Sequence, residues 1–229
     1  MIEAADIRES ETVATAEAKG HSDQRLVMRR VWAMPSSDTF DIPVIADFVK
    51  WRLKHSKCSI DPYARNKRWA TYTNDLNPAT VAEWHMDAED FLSMLVQRGV
   101  TADLVILDPP YSPRQIKECY DSIGLAMKQE DAMGGATRKR RKKLIEQLVP
   151  PGGEVLQFGW NTVGMGKGWT QEEILLVCHG SDHNDTICTS ERRDQPERDF
   201  FAPHNDQAQR LPPGTVVACK PNSPINQKP

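Results

Sequence analysis

Residues 103–107 read Asp-Leu-Val-Ile-Leu and run directly into Asp108, Pro109, Pro110 and Tyr111. An unbroken apolar run of this length is the pattern of a strand buried on both faces of a parallel sheet. Residues leaving such a strand at its carboxyl end are placed to touch a ligand. Two successive prolines fix their own φ and remove two backbone N–H groups, so the carbonyls of this turn have no local amide partner and face outward as acceptors. A carboxylate and a carbonyl arranged in this way can each take one N–H of an amino group whose lone pair is delocalised into a ring. That favours a pyramidal nitrogen able to attack an electrophilic carbon in line, by positioning and electrostatic stabilisation. The face of Tyr111 can stack a flat ring, an interaction of roughly 1–3 kcal/mol per base. A Pro-Pro pair alone is often only a stiff turn; the strand before it and the aromatic after it make the combination specific.

Other groups could serve the same chemistry. Asp61 ends the strand-like run that starts at Cys58 and opens the stretch Asp61-Pro62-Tyr63-Ala64. Asp75 ends a second run, Thr71-Tyr72-Thr73-Asn74, where an acid accepts ribose hydroxyls in dinucleotide folds or caps a turn. Asp87 precedes Ala88-Glu89-Asp90-Phe91-Leu92, where it can take a ligand's amino group or cap a helix. Phe40 is either a ring against such a ligand or core. Trp160 and Asn161 either line a pocket or close the sheet. Arg138, Lys139, Arg140, Arg141, Lys142 and Lys143 form one concentrated basic run, which is either a solvated helix face or a local phosphate patch. The formal net charge of -3 argues against a surface that attracts polyanions everywhere. Cys178, His179, Asp182, His183 and Asp185 fit no zinc spacing, and a hydrogen-bonded turn is the better reading. Gly164, Gly166 and Gly168 lack the spacing of a phosphate loop.

The elements that must carry these residues follow from periodicity. The chain has 229 residues, 39% hydrophobic and 27% charged, enough for one sizeable core. Apolar positions 44, 45, 48, 49 and either 51 or 53 lie near one helical stripe, predicting a helix over 44–53. Strands are predicted over 58–61, 71–75, 84–86, 103–107 and 154–160, with helices over 88–97, 114–127 and on to 148. Two last strands, 172–180 and 184–192, flank a polar turn and read as an antiparallel hairpin at a sheet edge. Alternating strands and helices of this kind predict an α/β domain over 26–193. Residues 1–25 and 194–229 have little to bury and read as flexible tails. No run of about 18 apolar residues occurs, so no membrane partner is expected. Five cysteines without a CxxC pair suit reduced thiols in a cytoplasm.

Asp108-Pro109-Pro110-Tyr111 matches the fourth motif, [DNS]-P-P-[YFW], of the amino-methyltransferases, and its Asp form resembles adenine-N6 DNA methyltransferases. Over roughly 31–191, Met34-Pro35 through Thr39-Phe40, SIDPYARN, TNDLNP, HMDAEDFL, DPPYSPRQ and FGWN are similar to compact enzymes carried by phages and prophages. The resemblance implies a Rossmann-like methyltransferase fold, a mostly parallel seven-stranded sheet with an antiparallel edge hairpin. It also implies S-adenosylmethionine as cofactor and N6 of adenine in DNA as acceptor, with a short or relaxed target sequence. The catalytic residues would be Asp108, Pro109, Pro110 and Tyr111. The cofactor would be held by Phe40, Asp61, Pro62, Tyr63, Ala64, Asn66, Asp75, Asp87, Ala88 and Asp108. DNA would meet Arg114 and the basic run, an adenine being flipped onto Tyr111; no metal is implied. Two rivals are an RNA base methyltransferase and a catalytically silent binding relative. The sequence departs from the family's D-P-F-x-G pattern: Arg65-Asn66 stands where glycine is usual, and only about nine residues link the first two strands, too few for a crossover helix.

Overall fold

The computed structural model describes residues 25–126 and 135–196. Residues 1–24 and 197–229 of the predicted tails, and residues 127–134, lie outside the described residues. Seven strands form one sheet: β1 (Val27–Trp32), β2 (Ser59–Asp61), β3 (Tyr72–Thr73), β4 (Leu104–Leu107), β5 (Glu154–Gly159), β6 (Trp169–Cys178) and β7 (Thr186–Arg193). Their spatial order is β1-β6-β7-β5-β4-β2-β3. β7 runs antiparallel to both β5 and β6, and every other pairing is parallel. This is a mostly parallel, Rossmann-like α/β sheet with one antiparallel strand.

Among the described residues there are four α-helices. α1 (Pro43–His55) precedes β2, α2 (Ala88–Gln97) precedes β4, and α3 (Pro113–Ser122) and α4 (Gly135–Leu148) lie between β4 and β5. β4 is buried at all four positions, and its side chains divide by the two-residue period of a strand. Val105 and Leu107 join Phe91, Leu92 and Leu95 of α2 and Ile145 and Leu148 of α4 in one core. Leu104 and Ile106 join Ile45, Phe48, Val49 and Leu53 of α1 in the other. A strand flanked by apolar layers in this way holds the turn that follows it rigidly.

The described structure departs from the sequence reading at three places and meets it at a fourth. β1 has no counterpart among the predicted strands, and by pairing in parallel with β6 it takes the sheet edge expected for the hairpin, which lies inside the sheet; Val-Met-Arg-Arg-Val-Trp carries two arginines and stays largely exposed. The third predicted strand is reduced to a single bridge between Asn74 and Trp84. α3 ends at Ser122, where Gly124 turns the chain with φ +70°. β2 and β3 are parallel neighbours joined without a helix, as their short separation requires.

α1 is pinned to the far half of the sheet by charge. Arg52 donates through Nε to Glu154 at 2.6 Å, through Nη2 to Glu173 at 2.6 Å and through Nη1 to the Phe48 carbonyl at 3.0 Å. The guanidinium is buried and lies over the Phe48 ring. Ser190 adds a hydrogen bond to Glu154, and Arg29 of β1 pairs with Glu173. Arg52→Met should leave both carboxylates without their buried partner and lower the unfolding free energy by about 3–5 kcal/mol. Urea unfolding measures this, and near-wild-type stability would contradict the pinning role.

Candidate active site

β2, β3, β4 and β5 are carried by parallel pairings, so their carboxyl ends open on one rim. Asp61, Asp75, Asp108 and Trp160 leave the sheet there. One side chain joins the turns between them. Asn74, fully buried, donates through Nδ2 to the Pro62 carbonyl at 3.2 Å and the Met86 carbonyl at 3.0 Å, and its Oδ1 accepts from Met86 N at 3.1 Å. Its backbone carbonyl accepts from Ala64 N at 2.8 Å. The stretch Asp61-Pro62-Tyr63-Ala64 is thereby tied to the segment that leads into Asp87. Asn74 is not among the site residues inferred from sequence. The available signal is an asparagine inside a strand-like run, a poor strand former unless its amide is needed.

Arg65 occupies the position at which the family has glycine, and its φ is +47°. That is the left-handed region glycine enters freely; here a non-glycine residue makes the turn. It is held by its own N–H on Asp75 Oδ2 at 3.0 Å and by Nη1 on the Ser37 carbonyl at 2.7 Å. Asp75 also accepts from Asn77 N at 2.8 Å, so it caps the turn and is oriented by two backbone amides. Asp87 caps α2, accepting from Glu89 N at 2.8 Å and Asp90 N at 3.4 Å, both through Oδ1. Ala88 and Ala64 are buried, Asn66 is exposed with its Oδ1 accepting from Val81 N, and Phe40 is a core ring stacked on Trp69 and edge-on to Phe158.

Asp108 emerges from β4 into an acidic neighbourhood. Burial pushes its carboxyl up to about 6, hydrogen bonds from Tyr111 and Thr39 pull it down, and Asp38 raises it further. Asp61 is buried and lies well above its ordinary value, first through burial; Tyr63 N, donating to it at 3.0 Å, offsets part of this, while Asp108 and Asp75 add repulsion. Tyr111 donates its hydroxyl to Asp108 Oδ1 and its backbone N–H to Gln115 Oε1 at 2.7 Å, and its ring meets that of Trp160 edge-on at 5.7 Å. Burial first, then Asp108, raise the phenol above its ordinary value.

A shallow cleft, open to solvent, lies between the turn after β4 and α4, with Pro109, Pro110 and Tyr111 on one wall and Trp160 and Asn161 on another. Trp160 is 41% exposed. The basic run divides at this cleft. Arg138, Arg141 and Lys142 line it; Arg140 pairs with Glu89 of α2 at 3.1 Å, and Lys142 donates to the Gly164 carbonyl. Arg141 lies 5.4 Å from the Tyr63 ring centre. Arg138, Lys139 and Lys143 are exposed. Glu89 is raised by burial and lowered by Arg141 and Arg140. Arg114, at the start of α3, is exposed and paired with Glu118 at 2.8 Å.

The loop after Trp160 is tethered from below by Glu191 of β7, which accepts from Met165 N at 2.6 Å and from Gln157 and Gln171 at 3.4 Å each. A side chain at Gly164 would collide with that carboxylate, so this glycine serves close approach. At the hairpin both ring nitrogens of His179 are engaged, by the Ala33 carbonyl at 2.8 Å and Thr186 Oγ1 at 2.9 Å. Among the described residues no helix is long and apolar enough to cross a membrane.

No protein-family model matches the chain, and no curated protein matches it. Among solved structures, the N-methyltransferase NodS from Bradyrhizobium japonicum WM9 is similar over 69% of this chain and 99% of its own, at 10% identity and a TM-score of 0.45. NSun6 from Pyrococcus horikoshii, solved with SFG, is similar over 66% of this chain and 52% of its own, at 13% identity and 0.44. TrmN from Thermus thermophilus is similar over 66% and 49%, at 14% identity and 0.42. This chain spans about half the length of the latter two. The chemistry of the site therefore rests on its own geometry.

Asn74→Ala should strand the Pro62 and Met86 carbonyls and the Met86 N–H together, costing about 3 kcal/mol. Denaturant unfolding checks it; a loss within about 0.5 kcal/mol, the range of ordinary surface changes, would refute the stitching role.

Proposed function

We propose that this chain is an S-adenosylmethionine-dependent methyltransferase that modifies the exocyclic amino group of adenine in DNA. One observation carries the reading: the turn that begins at Asp108 closes a doubly buried strand, and its next three residues, Pro109, Pro110 and Tyr111, form the wall of a cleft whose opposite rim is the basic face of α4. Acceptors, an aromatic face and cationic side chains meet at one opening. A nucleic-acid base needs all three to be held, stacked and brought in on its phosphates.

The chain's own groups fit the cofactor. The turn at Arg65 keeps the left-handed backbone that the family's glycine would supply. Asp75 is fixed at the end of β3 toward ribose hydroxyls, and Asp87 uses only Oδ1 as a cap, leaving Oδ2 for an amino group. Asp61, Pro62, Tyr63, Ala64, Asn66 and Ala88 line the same segments, and Phe40 supports them from the core. When bound, S-adenosylmethionine supplies a methyl group activated on a sulfonium.

The remaining chemistry belongs to the protein. Asp108, in its ionised form, and the Pro109 carbonyl accept the two N–H bonds of the adenine amine, while the base stacks on the face of Tyr111 and Trp160 lines the cleft beside it. Orientation toward the methyl donor and stabilisation of positive charge growing on nitrogen then come from fixed oxygens rather than reorganising water. Arg138, Lys139 and Lys143 meet phosphates; Arg140 and Lys142 hold the helix to the body of the domain.

Transfer of labelled methyl from S-adenosylmethionine to unmethylated DNA, with RNA in parallel, tests the reading. Asp108→Ala should lose at least about 100-fold in rate; activity close to wild type would sink the carboxylate's role, and transfer to RNA alone would reassign the substrate. The acceptor form of Asp108 is the ionised one, so the rate should fall as pH drops through about 6; a flat profile down to about pH 4.5 would contradict it. Replacing Arg138, Lys139 and Lys143 together by Ala should weaken DNA binding alike for all sequences and flatten its salt dependence by roughly one unit of log–log slope for each phosphate no longer engaged. Fluorescence anisotropy across a salt series reads that slope, and an unchanged value would remove these side chains from the interface.

A further inference from the structure

We propose that Thr39 is a positioning residue of this site, holding the Tyr111 hydroxyl on Asp108 so that the phenol fills the acceptor Oδ1 until an incoming amino group displaces it. The kinetic part of this inference rests on the methyltransferase reading; the hydrogen-bond part does not.

Thr39 begins a single 3-10 turn (Thr39–Asp41) anchored from several sides. Asp38 caps it, accepting from Phe40 N at 3.0 Å. Phe40 is 4% exposed and wedged between Trp69 and Phe158, Lys67 pairs with Asp41, and Arg65 donates to the Ser37 carbonyl just before the turn. The hydroxyl of Thr39 is therefore carried by a backbone with little freedom. It lies 3.3 Å from the Tyr111 hydroxyl, which donates to Asp108 Oδ1. Tyr111 is fixed in turn by Gln115 on its backbone and Trp160 against its ring.

The charges around Asp108 show what the hydroxyls are for. Asp38 on the turn and Asp61 at the end of β2 repel an ionised Asp108, Arg65 on the β2–β3 loop attracts it, and Tyr111 and Cys188 of β7 face it as neutral acids. Burial and two like charges favour the protonated acid, and a protonated acid presents a donor where the amine needs an acceptor. Hydroxyl donors offset part of that preference. A phenol O–H and an amine N–H each place one proton on the same oxygen, so substrate entry exchanges one hydrogen bond for another without leaving a buried carboxylate unpaired.

The test uses the full chain with aspartate carboxyls labelled with carbon-13, the Asp108 resonance assigned by its loss in Asp108→Asn. Thr39→Val keeps the shape and removes the hydroxyl, Thr39→Ser restores it, and Tyr111→Phe removes the donor itself. The Asp108 midpoint should rise by roughly half a pH unit or more in Thr39→Val and Tyr111→Phe and return to the wild-type value in Thr39→Ser. The acid limb of methyl transfer should move with it in Thr39→Val. A midpoint unchanged in Thr39→Val overturns the proposal. If Thr39→Val does not fold, an unchanged midpoint in Tyr111→Phe does so. Absence of methyl transfer by the wild-type chain would instead overturn the functional reading, and the carboxyl titration would still decide the hydroxyl pair.

Discussion

Two carboxylates, Asp61 and Asp108, leave neighbouring parallel strands at the same edge of the sheet, and burying them side by side is the constraint around which the nearby loops are arranged. Each would be neutralised by burial if nothing compensated. The compensation comes from donors on every adjoining segment: the Tyr63 amide for Asp61, the Tyr111 and Thr39 hydroxyls for Asp108, and the positive side chain of Arg65. Of these segments, the turn that carries Tyr111 also forms a wall of the cleft, so satisfying Asp108 and shaping that wall constrain the same residues.

The helix across the cleft solves a different problem. A run of six cations on one short segment repels itself, yet α4 packs on α2 because part of the run is consumed internally. Arg140 meets Glu89, Lys142 meets the Gly164 carbonyl and Arg141 spreads over Tyr63. Positive charge that remains exposed sits near the mouth. Any outside polyanion held by α4 is mechanically joined, through Glu89 and Tyr63, to the segments that follow β2 and open α2.

Much of this is legible in the residues, and the reasons for the exceptions are physical. β4 and its turn are readable because four apolar residues and two prolines leave few conformational choices, and α1 and α2 because apolar spacing survives in isolation. β1 is hidden because an edge strand needs no apolar alternation; its pairing with β6 depends on residues some 145 positions away. Asn74 is hidden because its value lies in partners distant in sequence. The basic run is visible as charge, but its division into inward and outward members is set by the neighbours of α4, which no local pattern encodes. Asp75 and Asp87 stand at a turn and a helix start as expected, and both do cap there, using part of the carboxylate a ligand would meet.

The tether beneath the Trp160 loop restricts how this architecture could be varied. Because the Glu191 carboxylate fills the space a side chain at Gly164 would need, the two positions are sterically interlocked although one lies in a loop and the other in the middle of β7. A larger residue at 164 must push that carboxylate aside, which loosens the anchor on Met165 and on the two glutamines. A foreign loop grafted onto this rim would therefore keep its seat on β7 only by preserving a small residue at that point.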